Sequence, residues 1–140
     1  MMVDMTGPRG GKVDVGLQTY ALLAIESFSR QLGISRLHIN IGLKFHHKLL
    51  IADSAEGFCE SLNRRNFYID CCLYGNWLST LAHEMVHVKQ FARDELSANL
   101  RRWKTRDHTN TEYWDQPWEK EARRLQSRLV AKFEEELSSQ

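Results

Sequence analysis

The chain has almost no net charge: 19 Lys and Arg stand against 18 Asp and Glu, leaving +1. No global field therefore draws it to nucleic acid or to a membrane surface. It has no apolar run of about 18 residues, so no transmembrane helix is expected. The first 16 residues hold Gly, Pro and charge but lack the apolar stretch of a secretory signal. Residues 1–14 read as a flexible leader. Cysteine is scarce: three residues, Cys59, Cys71 and Cys72, with no CxxC pair. An odd number without framework spacing speaks against a disulfide scaffold and for a reducing compartment. The cytoplasm is thus the expected location, and the thiols read as small buried hydrophobes. Neither repeats nor low-complexity segments are present.

What remains is one domain, residues 15–140, with 42% hydrophobic residues, enough for a modest core. Leu17, Tyr20, Ala21, Ala24, Ile25 and Phe28 recur at helical spacing and predict a helix over 15–32, stopped by Gly33. Residues 36–42 alternate with period two, as a half-buried strand does. Leu49-Leu50-Ile51-Ala52 reads as a second strand, residues 55–62 as a third, and residues 66–71 as a fourth rich in β-branched and aromatic side chains. Asn76 is placed to cap a helix reaching Ala92. A polar, basic loop over 93–111 follows, and Pro117 opens a last helix to about Leu137. Trp118, Ala122, Leu125, Leu129 and Phe133 form its apolar stripe. The layout is α+β: an N-terminal helix, a small mixed or antiparallel sheet, and two further helices packed on it.

The central helix carries His83-Glu84-Met85-Val86-His87, an HExxH pattern. Histidines four apart lie one turn apart on one helix face, where both imidazoles reach a single metal ion. Glu84 is then close enough to take a proton from water activated by that metal. Projected at about 100° per residue, Trp77, Leu78, Leu81, Ala82, Met85, Val88 and Ala92 spread over one side. His83 and His87 lie opposite, with Asn76, Thr80 and Gln90. A solvated face would carry Lys, Glu and Arg, so this polar strip reads as the wall of a cleft.

Catalytic zinc takes three protein ligands and leaves a position open. The third candidate here is Glu119, Glu121 or His108. Helix projection favours Glu119 over Glu121, because Val130 and Leu137 extend the apolar sector toward the Glu119 side.

The segment Leu81–Gln90, together with Gln116-Pro117-Trp118-Glu119-Lys120-Glu121-Ala122, resembles the small zincin metallopeptidases of phages and bacteria. The resemblance spans roughly residues 34–130, and its two-helix arrangement is similar to that of the gluzincins. There the second motif often reads ExxA or ExxS, its first Glu on zinc, which places Glu119 as the ligand. Many members carry Asp after the small residue, supporting a zinc-bound His; this chain has Arg123. The resemblance implies a zincin-like fold, bound Zn2+ and peptide-bond hydrolysis with Glu84 as general base. Tyr113, His108 or an Arg of the 101–106 stretch would serve the oxyanion, and the 36–42 strand would pair with an extended substrate.

Two alternatives stand beside this reading. SprT-like proteases, which act on DNA-bound proteins, take a third His from after the HExxH helix; Arg106-Asp107-His108 resembles their pattern, with His108 as ligand. Arg101, Arg102, Lys104 and Arg106 around Trp103 would then contact phosphates or bases. In the other, zinc is structural and joins the two helices without catalysis. The expected partner is a protein or peptide substrate, and no membrane.

Overall fold

The computed structural model describes residues 1–47, 56–73 and 75–140. In chain order it forms β1 (Met2–Thr6), α1 (Val15–Gln31), β2 (Asn40–His46), β3 (Gly57–Ser61), β4 (Asn66–Cys72), α2 (Trp77–Ala92), β5 (Arg102–Trp103), β6 (Arg106–Asp107) and α3 (Pro117–Ser138). Short 3-10 turns occupy Pro8–Gly10 and Tyr113–Asp115. The expected α+β class holds, with a four-stranded sheet, a separate two-stranded hairpin and the three helices. No helix among the described residues is long and apolar enough to cross a membrane.

The sheet order is β1-β2-β4-β3. β1, β2 and β4 are parallel, whereas β3 runs antiparallel to β4 and forms one edge. The sheet is therefore mixed. β1, α1 and β2 make a βαβ unit, the connection that a parallel pair demands. Strand alternation buries Ile41, Leu43, Phe45, Phe67, Ile69 and Cys71 on one face. That face shares one core with Ile25 and Phe28 of α1, Leu81 and Met85 of α2, and Phe133 of α3. Phe133 meets Tyr20 and Phe28 edge-on, tying the first helix to the last.

Three expectations need correction. Residues 1–14 are not simply a flexible leader: Met2–Thr6 pairs with residues 40–44 of β2. Val3 and Met5 pack on the core, and the partner strand lies too far along the chain for local pattern to reveal the pairing. The strand expected over 36–42 starts later, at Asn40. The alternation had the right phase, but the chain still turns at 34–37, where the Leu37 N–H donates to the Ile34 carbonyl. Finally, the 93–111 stretch is not all loop, since it folds back as the β5–β6 hairpin. The strand expected at Leu49–Ala52 lies outside the described residues, and that expected over 55–62 is β3. Both helix readings hold: α1 runs Val15–Gln31 and α3 Pro117–Ser138. Cys71 and Cys72 are buried as expected.

Gly57 sets how closely β3 lies on α2. A Cβ there would meet Thr80 Cγ2 at 2.7 Å, the Asp70 carbonyl at 3.1 Å and Glu84 Oε2 at 3.2 Å. Backbone on one side and a helix on the other cannot yield together. Gly57→Ala is expected to destabilise the fold by about 1–3 kcal/mol, the range of overpacked sites. Urea denaturation measures it, and a change below a few tenths of a kcal/mol would mean that α2 and β3 are free to separate.

Candidate metal centre

α2 is presented to the centre by its ends and its two faces. Asn76 caps it, accepting from the Ser79 N–H at 3.4 Å. Leu78, Leu81, Ala82, Met85 and Val88 are buried in the core, which turns Asn76, Thr80, His83 and His87 toward a cleft. α3 begins at Pro117, where the missing N–H costs nothing. Its Trp118 and Ala122 are buried against the core, so Glu119, between them, is drawn in toward α2.

Three donor atoms converge. His83 Nε2 lies 3.0 Å from Glu119 Oε1. His87 Nε2 lies 3.3 Å from Oε1 and 3.1 Å from Oε2. Four-coordinate zinc with bonds of about 2.0–2.2 Å sets neighbouring donors roughly 3.3 Å apart. Two imidazoles and one carboxylate at these separations are a donor set that fits zinc. Among the described residues, His83, His87 and Glu119 are the group able to hold a metal ion.

The outer contacts decide which ring nitrogens are offered. The Gln90 amide nitrogen donates to the Trp118 carbonyl at 3.0 Å and to Glu121 Oε1 at 3.1 Å. With both its N–H bonds used, Gln90 turns Oε1 to His87 Nδ1, 2.7 Å away, so that Nδ1 carries hydrogen and Nε2 faces the centre. Gln126 Oε1 stands 2.6 Å from His83 Nδ1 and does the same there. Such contacts fix ring orientation and raise ligand basicity. The resemblance would give this task to an Asp at position 123; here Gln90 and Gln126 are the side chains against the two Nδ1 atoms. Gln126 was missed from sequence; the available signal was its spacing of seven from Glu119, two turns along the same helix face.

Electrostatics bind the three groups together. Burial works against charge on His87, but the hydrogen bond to Glu119 and the field of Glu84 outweigh it and push the imidazole up to about 9. His83 also rises: burial opposes it, and the Glu119 hydrogen bond with the Glu84 field wins. Burial would raise Glu119, yet donation from both imidazoles holds it far below the usual carboxylate range. Glu84 shifts the other way. Burial raises its pKa against the pull of His87 and His83, and no hydrogen-bond donor among the described residues reaches its carboxylate. A desolvated carboxylate with a raised pKa is suited to accept a proton.

The centre opens on a cleft of about 1010 Å³. Glu56 to Cys59 supply one wall, α2 the floor, and Tyr113, Trp114 and Glu119 the other wall. Tyr113 donates its hydroxyl to Glu119 Oε1 at 3.2 Å. Burial, then the Glu119 and Glu84 carboxylates, push this phenol up to about 12, so it stays a donor. β3 is the strand at the cleft. β2, expected along it, is flanked by β1 and β4 and has no free edge.

The competing ligands lie elsewhere. Glu121 accepts from Lys89 at 3.1 Å and from Gln90, so it orients the Gln90 amide rather than joining the centre. His108 pairs through Nδ1 with Thr111 Oγ1 at 3.0 Å and meets Trp118 edge-on. It is not among the residues lining the cleft, and neither are Arg101, Arg102, Lys104 and Arg106. These four cations are exposed on the hairpin, where Trp103 packs toward Trp118 beneath them.

Metal content after dialysis against zinc is expected to collapse in Glu119→Ala and to stay near stoichiometric in Glu121→Ala and His108→Ala. Gln126→Ala should bind zinc about 10–100-fold more weakly. Full zinc in Glu119→Ala would discard the assigned triad.

Protonation gives a second expectation, for the metal-free protein. His87 is raised from 6.5 to about 9, so its contribution to stability is complete below pH 6.5 and is lost as pH rises through about 9. Glu119 is lowered from 4.5, so its contribution is present above that pH and is lost as pH falls. Urea midpoints in chelator should therefore be highest near pH 5–6.5. Glu119→Gln should flatten the alkaline decline; an equally steep decline in that variant would locate the titrating group elsewhere.

In comparisons with known proteins, no family model, no curated protein and no solved structure matches the chain.

Proposed function

We propose that the chain is a zinc-dependent metallopeptidase with a zincin-like, gluzincin-type centre. The observation that carries this reading is the meeting of His83, His87 and Glu119 beside the buried Glu84 at the floor of an open cleft. A purely structural zinc would have no use for a carboxylate that has no hydrogen-bond partner among the described residues next to its ligands, nor for a cleft of about 1010 Å³ opening on them.

His83, His87 and Glu119 would hold the ion. Zinc supplies Lewis-acid polarisation of a carbonyl and makes water acidic enough to lose a proton near neutral pH. The chain's own groups do the rest. Glu84 takes the proton of the attacking water and delivers it to the departing amine. Tyr113, with its hydroxyl over Glu119, donates to the oxygen on which negative charge develops. β3, which has no second strand partner among the described residues, would pair with an extended substrate. Gln90 and Gln126 keep the imidazoles from turning.

Of the alternatives, the SprT-like arrangement with His108 as ligand is disfavoured by the Thr111 pairing of that side chain and its place outside the cleft. Glu84→Gln separates catalytic from structural zinc. Zinc content should remain unchanged while peptide hydrolysis falls by about 10²–10⁴-fold, the usual worth of a general base. Undiminished hydrolysis with zinc retained would remove Glu84 from the chemistry.

A further inference from the structure

Four of the large hydrophobic side chains left in water line the cleft. Phe58, Leu100, Tyr113 and Trp114 are all exposed, and all four line it. Exposed apolar groups gathered at one concave site mark a binding surface rather than ordinary surface scatter. Trp114 is the most exposed of the four, at 69%.

This indole is held in place. Arg123, from the second turn of α3, donates through Nη2 to the Trp114 carbonyl at 2.8 Å. Its guanidinium carbon sits 4.5 Å from the centre of the indole ring, a cation–π contact. The same guanidinium leaves Nη1 buried without a hydrogen-bond partner among the described residues. Arg123 is thus not placed there by a saturated ion pair; its contacts are the ring and carbonyl of Trp114. With the guanidinium over one side of the indole and most of the ring exposed, the rest is open to a second planar group. Tyr113 stands edge-on at 5.9 Å and closes the end of the platform.

The charge of the lining narrows the occupant. Glu56, Glu84 and Glu119 face the cleft, and no Lys or Arg among the described residues does. An acidic side chain entering it meets like charge in a partly desolvated site.

We propose that Trp114 is the specificity-determining platform of the cleft, taking an aromatic side chain of an extended, non-acidic peptide, and that Arg123 is the positioning residue that holds it. This rests on the peptidase reading. Ring-on-ring contact adds to simple burial, so an aromatic residue is favoured over a small one by about tenfold.

The test uses the zinc-loaded full chain and a mixed peptide library, with cleavage sites read by mass spectrometry. Matched peptides carrying Phe, Leu, Ala or Glu at the selected position are then assayed. Wild type is expected to favour Phe over Ala by about tenfold in kcat/KM and to accept Glu worst. Trp114→Ala should collapse the Phe/Ala ratio to within about twofold, chiefly through KM. Arg123→Met should lower the ratio part of the way, and Arg123→Lys, which keeps a cation over the ring, should restore much of it. A merely structural Arg123 would slow all peptides alike and leave the ratio untouched. Should Arg123→Met fail to fold, the exposed Trp114→Ala carries the test.

A zinc-loaded Glu84→Gln protein, titrated with the same peptides and followed by tryptophan fluorescence, separates the two levels. Cleavage without aromatic preference, or a ratio unchanged in Trp114→Ala, overturns the platform and leaves the peptidase. Aromatic-selective binding without any wild-type cleavage overturns the peptidase and leaves the platform. Neither binding nor cleavage overturns both.

Discussion

One buried carboxylate organises this molecule. Glu119 reaches from α3 to accept hydrogen bonds from two imidazoles of α2 and from the Tyr113 hydroxyl. Burying an anion is costly unless its oxygens are occupied, and a loss of partners costs several kcal/mol. The two helices must therefore be held at one separation. Much of the remaining fold serves that end. The aromatic contacts of Phe133 fix α3 to α1, and the sheet supports α2 from beneath. Gly57 lets the edge strand come near enough for Glu84 to be desolvated. The Trp118 carbonyl receives Gln90, so that even the backbone of α3 helps orient a ring on α2.

Local features of this arrangement were legible in the sequence, and long-range ones were not. The α2 pattern, its Asn76 cap and the apolar stripe of α3 depend on side chains a few positions apart, and all reappear. That Glu119 rather than Glu121 turns toward the two histidines was also legible, since the phase of the stripe tells which acidic residue leans inward. β1 was missed because five residues with a partner some forty positions away carry no periodic signal of their own. The boundary of β2 slipped because Leu37 and Ile39 alternate in step with the true strand while belonging to the turn before it. β3 bordering the cleft depends on strand order, which alternation does not encode.

The outer contacts of the two histidines are the clearest case. A family pattern anticipates one acidic residue at position 123, and Arg123 stands there. In the structure Gln126 on α3 and Gln90 on α2 meet the histidine Nδ1 atoms, each a neutral acceptor in place of a charged one. With fewer buried anions around the centre, less desolvation has to be offset. Arg123, released from any part in the centre, lies instead against Trp114. A single position thus links the chemistry of the helix interior to the shape of the cleft rim, a relation visible only when α3 is seen edge-on to the turn at Tyr113–Asp115.

The Gln90 amide carries one more implication. Because both of its N–H groups are engaged, His87 must keep hydrogen on Nδ1, while its Nε2 donates to a carboxylate that can only accept. These partners favour the imidazolium form of the ring in metal-free protein, so a divalent ion arriving at Nε2 displaces a proton. Loading is an exchange of one cation for another. Part of its heat belongs to whatever buffer catches the expelled proton, so titration calorimetry in buffers of different ionisation enthalpy would count protons at this one nitrogen.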